Sequence, residues 1–322
     1  MNKKEKIIDL CKKYKASVQK GSSLNIGSDS EKYRLMNNNI KFYELNFEEL
    51  QTCGVCLTEI LLFKNRNTII SNDHLHYWAW VAQVIFNREA EYFDSKEMEI
   101  SILLSTCIRS ALARTANPKL SFEESSKARN NIEFNAQELI SKSNLILAQL
   151  SFPLLEAILR KSCKGYVDYL GNVEKDFEVE KNGYKTFYSK KGKGKRKISS
   201  IADLLHLYYD KVANFEIRNN LDLIRDHLND LETGNQKEAF EIIYQWRNSS
   251  LHGNTSLPTI GGTILSIVLI IAFASLKDSY ESIRKELNER IEWESHVRRT
   301  SMSEGHSIII PRGHWSYYPP YL

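Results

Sequence analysis

Proline and glycine are scarce in this chain, whose 322 residues include only six prolines and fourteen glycines. Turn-rich β-sandwiches and barrels need both residue types at many positions, so their scarcity favours long helices. Hydrophobic residues make up 42% of the chain and charged residues 26%, as in an ordinary globular protein. The length allows two domains with their own cores or one large helical body.

Cysteine is also sparse, and the number is odd: Cys11, Cys53, Cys56, Cys107 and Cys163. Such a set predicts reduced thiols in a cytoplasmic protein rather than a disulfide framework. Cys53 and Cys56 have the CxxC spacing, but no second pair completes a zinc site. His74 and His76 lack further ligands besides Asp73. We therefore expect structural thiols and histidines, with no metal and no cofactor.

We also expect no secretory signal, because the sequence opens with a charged helical pattern. Long apolar runs are absent except for residues 260–276, which at 17 residues reach the lower limit for spanning a bilayer. One interpretation is a membrane span. The other, favoured because nearly every other segment is amphipathic, is a helix buried on all sides in a helical core, with no membrane partner.

The spacing of apolar residues predicts a mostly α protein. Helices are expected at 47–63, from Asp73 (as N-cap) to residue 86, and at 97–116, where Asn117-Pro118 ends the last of them. We place a boundary near residue 120. The predicted units are a helical N-terminal domain of unknown role (1–120), a helical domain (121–293, with an insertion at 171–198) and an aromatic tail (294–322).

The insertion interrupts the helical pattern. Residues 179–188 resemble a β-hairpin with Asn182-Gly183 at its turn. A basic run follows that contains Lys190, Lys191, Lys193, Lys195, Arg196 and Lys197. Cations attract phosphates, and the neighbouring Tyr184, Phe187 and Tyr188 can stack on unpaired bases, so the run is a candidate RNA-binding element. The alternative is a solvated surface loop.

The strongest candidate for chemistry is Arg247-Asn248-Ser249-Ser250-Leu251-His252. Histidine can transfer protons at neutral pH, and the arginine fork fits phosphate oxygens. On a continuous helix Asn248 and His252 share a face, so Asn248 can orient the His252 ring. Arg247 lies about 140° around the helix from His252. The two therefore converge only if the helix end is distorted or if a second chain completes the site. The alternative is an Arg247 ion pair and a His252 that merely ends a helix.

This motif resembles the active-site signature of the HEPN superfamily, in which an arginine and a polar residue precede a histidine by four to six positions. Glu156, Arg160 and Lys161 are similar to an acidic residue and basic pair on an early helix of several HEPN groups, although Glu156 and Arg160 also suit a plain ion pair. The resemblance covers residues 122–292. It implies a HEPN-like helical bundle, and the insertion is a departure from its minimal form.

The resemblance further implies a metal-independent endoribonuclease that leaves a 2′,3′-cyclic phosphate. His252 would be the general acid or base, and Arg247 would stabilise the charge on the phosphate. The site would form across a homodimer. Many family members are phage-defence or toxin effectors, which is compatible with an antitoxin or sensor partner. Two alternatives remain open: a non-catalytic HEPN-like module that binds RNA, nucleotide or protein, and a helical scaffold.

Overall fold

The computed structural model describes residues 2–19, 34–62, 70–86, 98–113, 130–181, 183–231, 238–251 and 257–290, together with residues 123 and 127. These residues are mostly helical, which confirms the predicted class. The helices are α1 (Lys3–Gln19), α2 (Arg34–Asn37), α3 (Phe47–Leu61), α4 (Asn72–Ile85), α5 (Met98–Leu112), α6 (Phe134–Ser141), α7 (Ser143–Ser162), α8 (Ile201–Leu207), α9 (Phe215–Leu231), α10 (Ala239–Leu251), α11 (Leu257–Ala274) and α12 (280–290). A 3₁₀ turn (Phe42–Glu44) precedes α3, and a π turn (Tyr208–Val212) follows α8.

The predicted hairpin is confirmed. Strand β1 (Phe177–Lys181) pairs with β2 (Tyr184–Tyr188) in antiparallel register, with Lys181 opposite Tyr184. Gly183 has a φ of 78°, the left-handed conformation that a tight hairpin turn requires and that glycine adopts without strain. The hairpin therefore forms where the Asn-Gly pair predicts it.

Helix α11 lies at the centre of the fold, where it packs against α3, α4 and α7 and also contacts α9. All of its residues from Ile260 to Phe273 are buried. A polar group inside this core is paired, since the Trp78 Nε1–H on α4 donates to the Ser266 hydroxyl at 3.0 Å. The prediction of a helix buried on all sides is confirmed. Within the described ranges, no helix combines the length and apolar content needed to cross a bilayer.

Two adjacent glycines allow α11 to approach its neighbours closely. A Cβ built at Gly261 would lie 2.9 Å from the backbone nitrogen of Ala148, so α11 and α7 touch backbone to backbone. A Cβ at Gly262 would lie 3.1 Å from the side-chain ends of Leu61 and Trp78. The two faces of α11 that carry these glycines therefore fit against different partners.

The core is continuous from the first helix to the last, with buried side chains from Ile7 to Leu287 in one cluster. Helix α12 joins the chain's C-terminal part to the 3₁₀ turn: Tyr280, Arg284 and Asn288 donate hydrogen bonds to the carbonyls of Leu45, Glu44 and Tyr43, respectively. The predicted boundary near residue 120 and the predicted tail at 294–322 lie outside the described residues.

The helix starts follow ordinary capping rules, but the N-cap predicted for α4 is wrong. Asn46 caps α3 in a reciprocal capping box with Glu49. Asp73 does not cap α4, because Ser71 occupies the N-cap position and the His74 ring accepts the Ser71 N–H at 3.2 Å. The other ring nitrogen of His74 donates to the Leu57 carbonyl at 2.9 Å.

Asp73 instead fixes the start of α2. Its carboxyl is buried and accepts the backbone N–H groups of Leu35 and Met36 at 2.9 and 3.3 Å. Burial raises the pKa of Asp73 to about 7, although these N–H donors act in the opposite direction. The buried histidines respond oppositely, because burial lowers the pKa of both His74 and His76 to about 4.

We expect Gly261→Ala to lower the free energy of unfolding by about 1–2 kcal/mol. Overpacking against the α7 backbone costs about 1–3 kcal/mol and is only partly offset by the better helix propensity of alanine. Gly262→Ala is the matched control, because its Cβ meets the movable ends of side chains and should cost less. Urea unfolding of both variants measures the difference. Equal costs would show that α11 and α7 do not depend on the close backbone approach.

A second prediction concerns the pH dependence contributed by Asp73. The pKa of Asp73 is raised in the folded state. Its contribution to the free energy of unfolding is therefore largest below pH ~4 and is lost as the pH rises through 7. Asp73→Asn cannot titrate, so the variant should gain stability relative to wild type between pH 5 and pH 8. His74 and His76 titrate alike in both proteins and cancel in the comparison. Urea unfolding at the two pH values tests this, and an unchanged difference would contradict it.

Candidate functional site

Arg247 and Asn248 lie in the last turns of α10, and both are half-buried. They are consecutive on a helix, so their side chains leave the axis about 100° apart. His252 follows directly after α10 and lies outside the described residues. The predicted pairing of Asn248 with His252, and the predicted divergence of Arg247 from His252, therefore remain predictions.

The N-terminal end of α10 is fixed by Glu238, the residue just before the helix. Its carboxylate accepts the backbone N–H of Phe240 at 2.9 Å and the Arg225 guanidinium at 3.1 Å, and it pairs with the His206 ring at 3.1 Å. Burial acts to raise the pKa of Glu238, but the partners His206 and Arg225 outweigh it and hold the pKa below its ordinary value. An ionised carboxylate therefore anchors α10 to α8 and α9.

Arg225 extends this anchor across three elements. Its guanidinium stacks 4.7 Å from the centroid of the Tyr209 ring and 4.9 Å from that of the Phe240 ring. It also pairs with Asp222 at 3.3 Å, and the same carboxylate oxygen accepts the Tyr209 hydroxyl at 2.7 Å. The π turn that carries Tyr209 is thereby held against α9 and the start of α10.

A second anchor joins α10 to the hairpin. The Lys181 ammonium at the end of β1 pairs with Glu241 on α10 at 2.6 Å and with Asp203 on α8. Asp203 is buried and also accepts the hydroxyl of Tyr188 from β2. Burial acts to lower the pKa of Lys181, but the two carboxylates outweigh it and raise the pKa. These residues were not singled out from the sequence, because 22 to 60 residues separate the lysine from its partners and no local pattern marks them.

Glu156 and Arg160 form the ion pair that their spacing allows, at 2.5 Å. Arg160 also donates to the Tyr169 carbonyl at 2.6 Å and lies beside Gly171. Gly171 has a φ of 81°, and a Cβ there would lie 2.6 Å from the Ile198 carbonyl oxygen. The pair therefore supports the turn at 168–172, which is a local structural role.

The basic run is not a free loop. The six residues predicted to bind RNA are all exposed: Lys190, Lys191, Lys193, Lys195, Arg196 and Lys197. The backbone beneath them is fixed: the Lys190 N–H donates to Asp176 at 2.9 Å, and the Gly192 N–H donates to the Ser189 hydroxyl at 2.8 Å. The cations are therefore presented by an ordered backbone.

The aromatic residues near this run divide into two groups. Tyr184 is 80% exposed and Phe187 is 48% exposed, as stacking on bases would require. Tyr188 is buried and stacks on Phe177 at 4.8 Å, so the expectation that it stacks on bases is wrong. Alternation along β2 turns it into the core. Tyr169, which is 62% exposed, was missed because it lies fifteen residues before Tyr184 in a segment without a basic run.

The cysteines are free and buried, as expected. Among the residues that the structure describes, no group of three or more His, Cys, Asp or Glu side chains is placed to hold a metal ion. Comparison of the chain with known protein families, with curated proteins and with solved structures found no match.

We expect Lys181→Ala to lower the free energy of unfolding by about 2–3 kcal/mol, because it leaves the buried Asp203 and the half-buried Glu241 without a counter-ion. Lys181→Ala combined with Asp203→Asn should recover part of this loss, since the buried charge is then removed. Lys185→Ala is the matched control, because Lys185 pairs with Glu178 and Glu180 on the exposed face of the same hairpin. Thermal and urea unfolding measure the difference, and an equal effect of the two lysine variants would contradict it.

Proposed function

We propose that this protein is a metal-independent endoribonuclease whose active site is completed by a second copy of the chain. The observation that carries the proposal is the placement of Arg247 and Asn248 in the final turns of α10, five and four residues before His252 in the sequence. Both side chains are half-buried, and the opposite end of their helix is held by Glu238 and Glu241. The proposal assigns phosphate binding to Arg247 and proton transfer to His252.

The reaction that these residues suit is transesterification of RNA. The 2′-hydroxyl attacks the adjacent phosphorus, the bond from phosphorus to the 5′-oxygen breaks, and the products carry a 2′,3′-cyclic phosphate and a 5′-hydroxyl. His252 transfers the proton, removing it from the 2′-hydroxyl or delivering it to the leaving 5′-oxygen. Arg247 binds the phosphoryl oxygens, on which negative charge accumulates in the transition state. Asn248 orients the His252 ring.

The resemblance to HEPN proteins supports this chemistry and suggests the biological role of a phage-defence or toxin effector acting on RNA. A helix leading into the motif and a strongly apolar helix after it agree with that resemblance, and α10 and α11 have this form. A HEPN-like bundle is accordingly part of the proposal. On one straight helix Arg247 and His252 would diverge, so the site needs either a distorted helix end or a second chain, and the proposal takes the second chain.

A second candidate function is a non-catalytic HEPN-like module that binds RNA, nucleotide or a partner protein. The ordered basic run beside exposed Tyr184 and Phe187 favours it, because such a surface can bind RNA without any catalytic group. The two candidates differ in whether RNA is cut.

Purified protein should cut RNA in the presence of EDTA and leave 2′,3′-cyclic phosphate ends. His252→Ala should lower the rate by at least about 10²-fold, because general acid–base catalysis is lost. Arg247→Ala should also lower it strongly, whereas Ser249→Ala on the same turn of α10 serves as the control and should cut normally. Circular dichroism and melting temperature establish that each variant folds. Full activity of the folded His252→Ala variant, or a requirement for added metal, would overturn the proposal.

Mixing the two inactive variants tests the shared site. If Arg247 of one chain works with His252 of the other, each heterodimer of Arg247→Ala and His252→Ala contains one intact site, and about a quarter of wild-type activity should return. If both residues act within one chain, neither site in the heterodimer is intact and the mixture remains inactive. The second result would remove the dimer from the proposal.

A further inference from the structure

Residues 160–198 are strongly basic. They contain twelve lysine and arginine residues and five acidic residues, a net charge of +7, whereas the whole chain carries +4. The remaining residues therefore sum to −3. Clustered positive charge of this kind attracts phosphate-rich partners.

The basic segment 195–197 is hydrogen-bonded on both sides like an irregular extra strand. On one side, the Lys195 N–H donates to the Phe187 carbonyl at 3.0 Å, and the Ser189 N–H donates to the Lys195 carbonyl at 2.9 Å. On the other side, the Val173 N–H donates to the Arg196 carbonyl at 2.9 Å. The three cations of this segment thus have defined neighbours on both flanks.

Exposed aromatic rings occupy both flanks. Phe187 lies on the β2 side, where it covers Gly194: a Cβ on this glycine would lie 2.8 Å from the Phe187 ring. Tyr169 lies on the other side, in the turn that Arg160 holds and that the Gly171–Ile198 hydrogen bond of 2.8 Å joins to the basic segment. Tyr184 is exposed at the far end of β2, but it is three positions from Phe187 and so lies on the opposite face of the hairpin.

The acidic residues of the hairpin do not cancel the basic segment. Glu178 and Glu180 form ion pairs with Lys185, at 2.8 and 3.7 Å. The Asp176 carboxylate accepts the backbone N–H of Lys190. Because cations outnumber carboxylates by seven in residues 160–198, those of the run from Lys190 to Lys197 remain in excess beside two exposed rings.

We propose that this surface, the docking platform formed by Tyr169, Phe187 and the cations of 190–197, binds single-stranded RNA. Bases stack on exposed rings only when they are unpaired, and the cations bind the backbone phosphates between them. Duplex RNA offers phosphates without free base faces and engages only the charges. The inference rests on the proposed function in one respect, because it names single-stranded RNA as the substrate form that the proposed enzyme binds.

The hairpin that carries Phe187 is attached to the helix of the candidate site. Lys181 at the end of β1 pairs with Glu241 on α10. Arg247 follows Glu241 by six residues on the same helix, a rise of about 9 Å.

Binding is measured with the full-length wild-type chain and a fluorescein-labelled 2′-O-methyl oligouridine of twelve nucleotides, whose blocked 2′-oxygen prevents cleavage. Tyr169→Ala and Phe187→Ala should each weaken binding at least about fivefold, because each removes one stacked base. Phe215→Ala is the matched control, since Phe215 is 80% exposed on α9, outside the platform, and should bind like wild type. Tyr169→Phe should restore binding because it retains the ring.

Salt dependence tests the cations. Replacing Lys193, Lys195, Arg196 and Lys197 by Gln should weaken binding. It should also reduce the slope of log Kd against log salt concentration by about 0.7 for each phosphate that the variant no longer neutralises. The same oligonucleotide annealed to its complement should bind more weakly than the single strand.

The inference is overturned if Tyr169→Ala and Phe187→Ala bind like wild type, or if the duplex binds as tightly as the single strand. A partner protein recovered on the platform with no measurable oligonucleotide binding would also overturn it. Failure of the proposed function looks different: the platform then binds the oligonucleotide as described, while unmodified RNA remains uncut.

Discussion

An apolar helix that is covered on every side determines much of this fold. Helix α11 has no exposed face from Ile260 to Phe273, so other helices must surround it and the hydrophobic effect acts around its whole circumference. Close packing then requires small residues where backbones meet, which explains why Gly261 and Gly262 lie side by side. The candidate motif immediately precedes this helix in the chain. Arg247 thus belongs to a helix joined by a short link to the most deeply buried element of the protein.

Enclosing α11 also buries polar groups, and their partners come from distant parts of the chain. Trp78 is bonded to Ser266 across 188 residues, and Tyr280 to the Leu45 carbonyl across 235. A buried donor or acceptor without a partner costs about 1–3 kcal/mol, so each of these bonds restricts how the helices can be arranged. Apolar contacts drive the helices together, whereas these polar contacts discriminate between otherwise similar packings.

Local patterns in the sequence predicted what local physics decides. The hairpin followed from Asn182-Gly183, and the central helix from the length and apolar content of 260–276. Asp73 was predicted wrongly because a carboxyl near a helix start satisfies the capping rule, whereas its actual partners, the N–H groups of Leu35 and Met36, lie 38 and 37 residues away. The ion pairs of Lys181 with Asp203 and Glu241 were missed for the same reason. Contacts between distant segments leave no periodicity, so one sequence alone does not reveal them.

The hairpin insertion connects the fold with the proposed function. As an addition to a minimal helical bundle it needs no connection to the motif helix, yet Lys181 forms ion pairs with both α8 and α10. An ion pair with a buried carboxylate contributes little net stability, because desolvation offsets the attraction, but it fixes orientation. The same hairpin presents Tyr184 and Phe187 to solvent and flanks the ordered basic segment. One rigid unit therefore combines the proposed RNA-binding surface with a fixed attachment to α10. In the proposed enzyme, this attachment sets where a bound strand lies relative to Arg247.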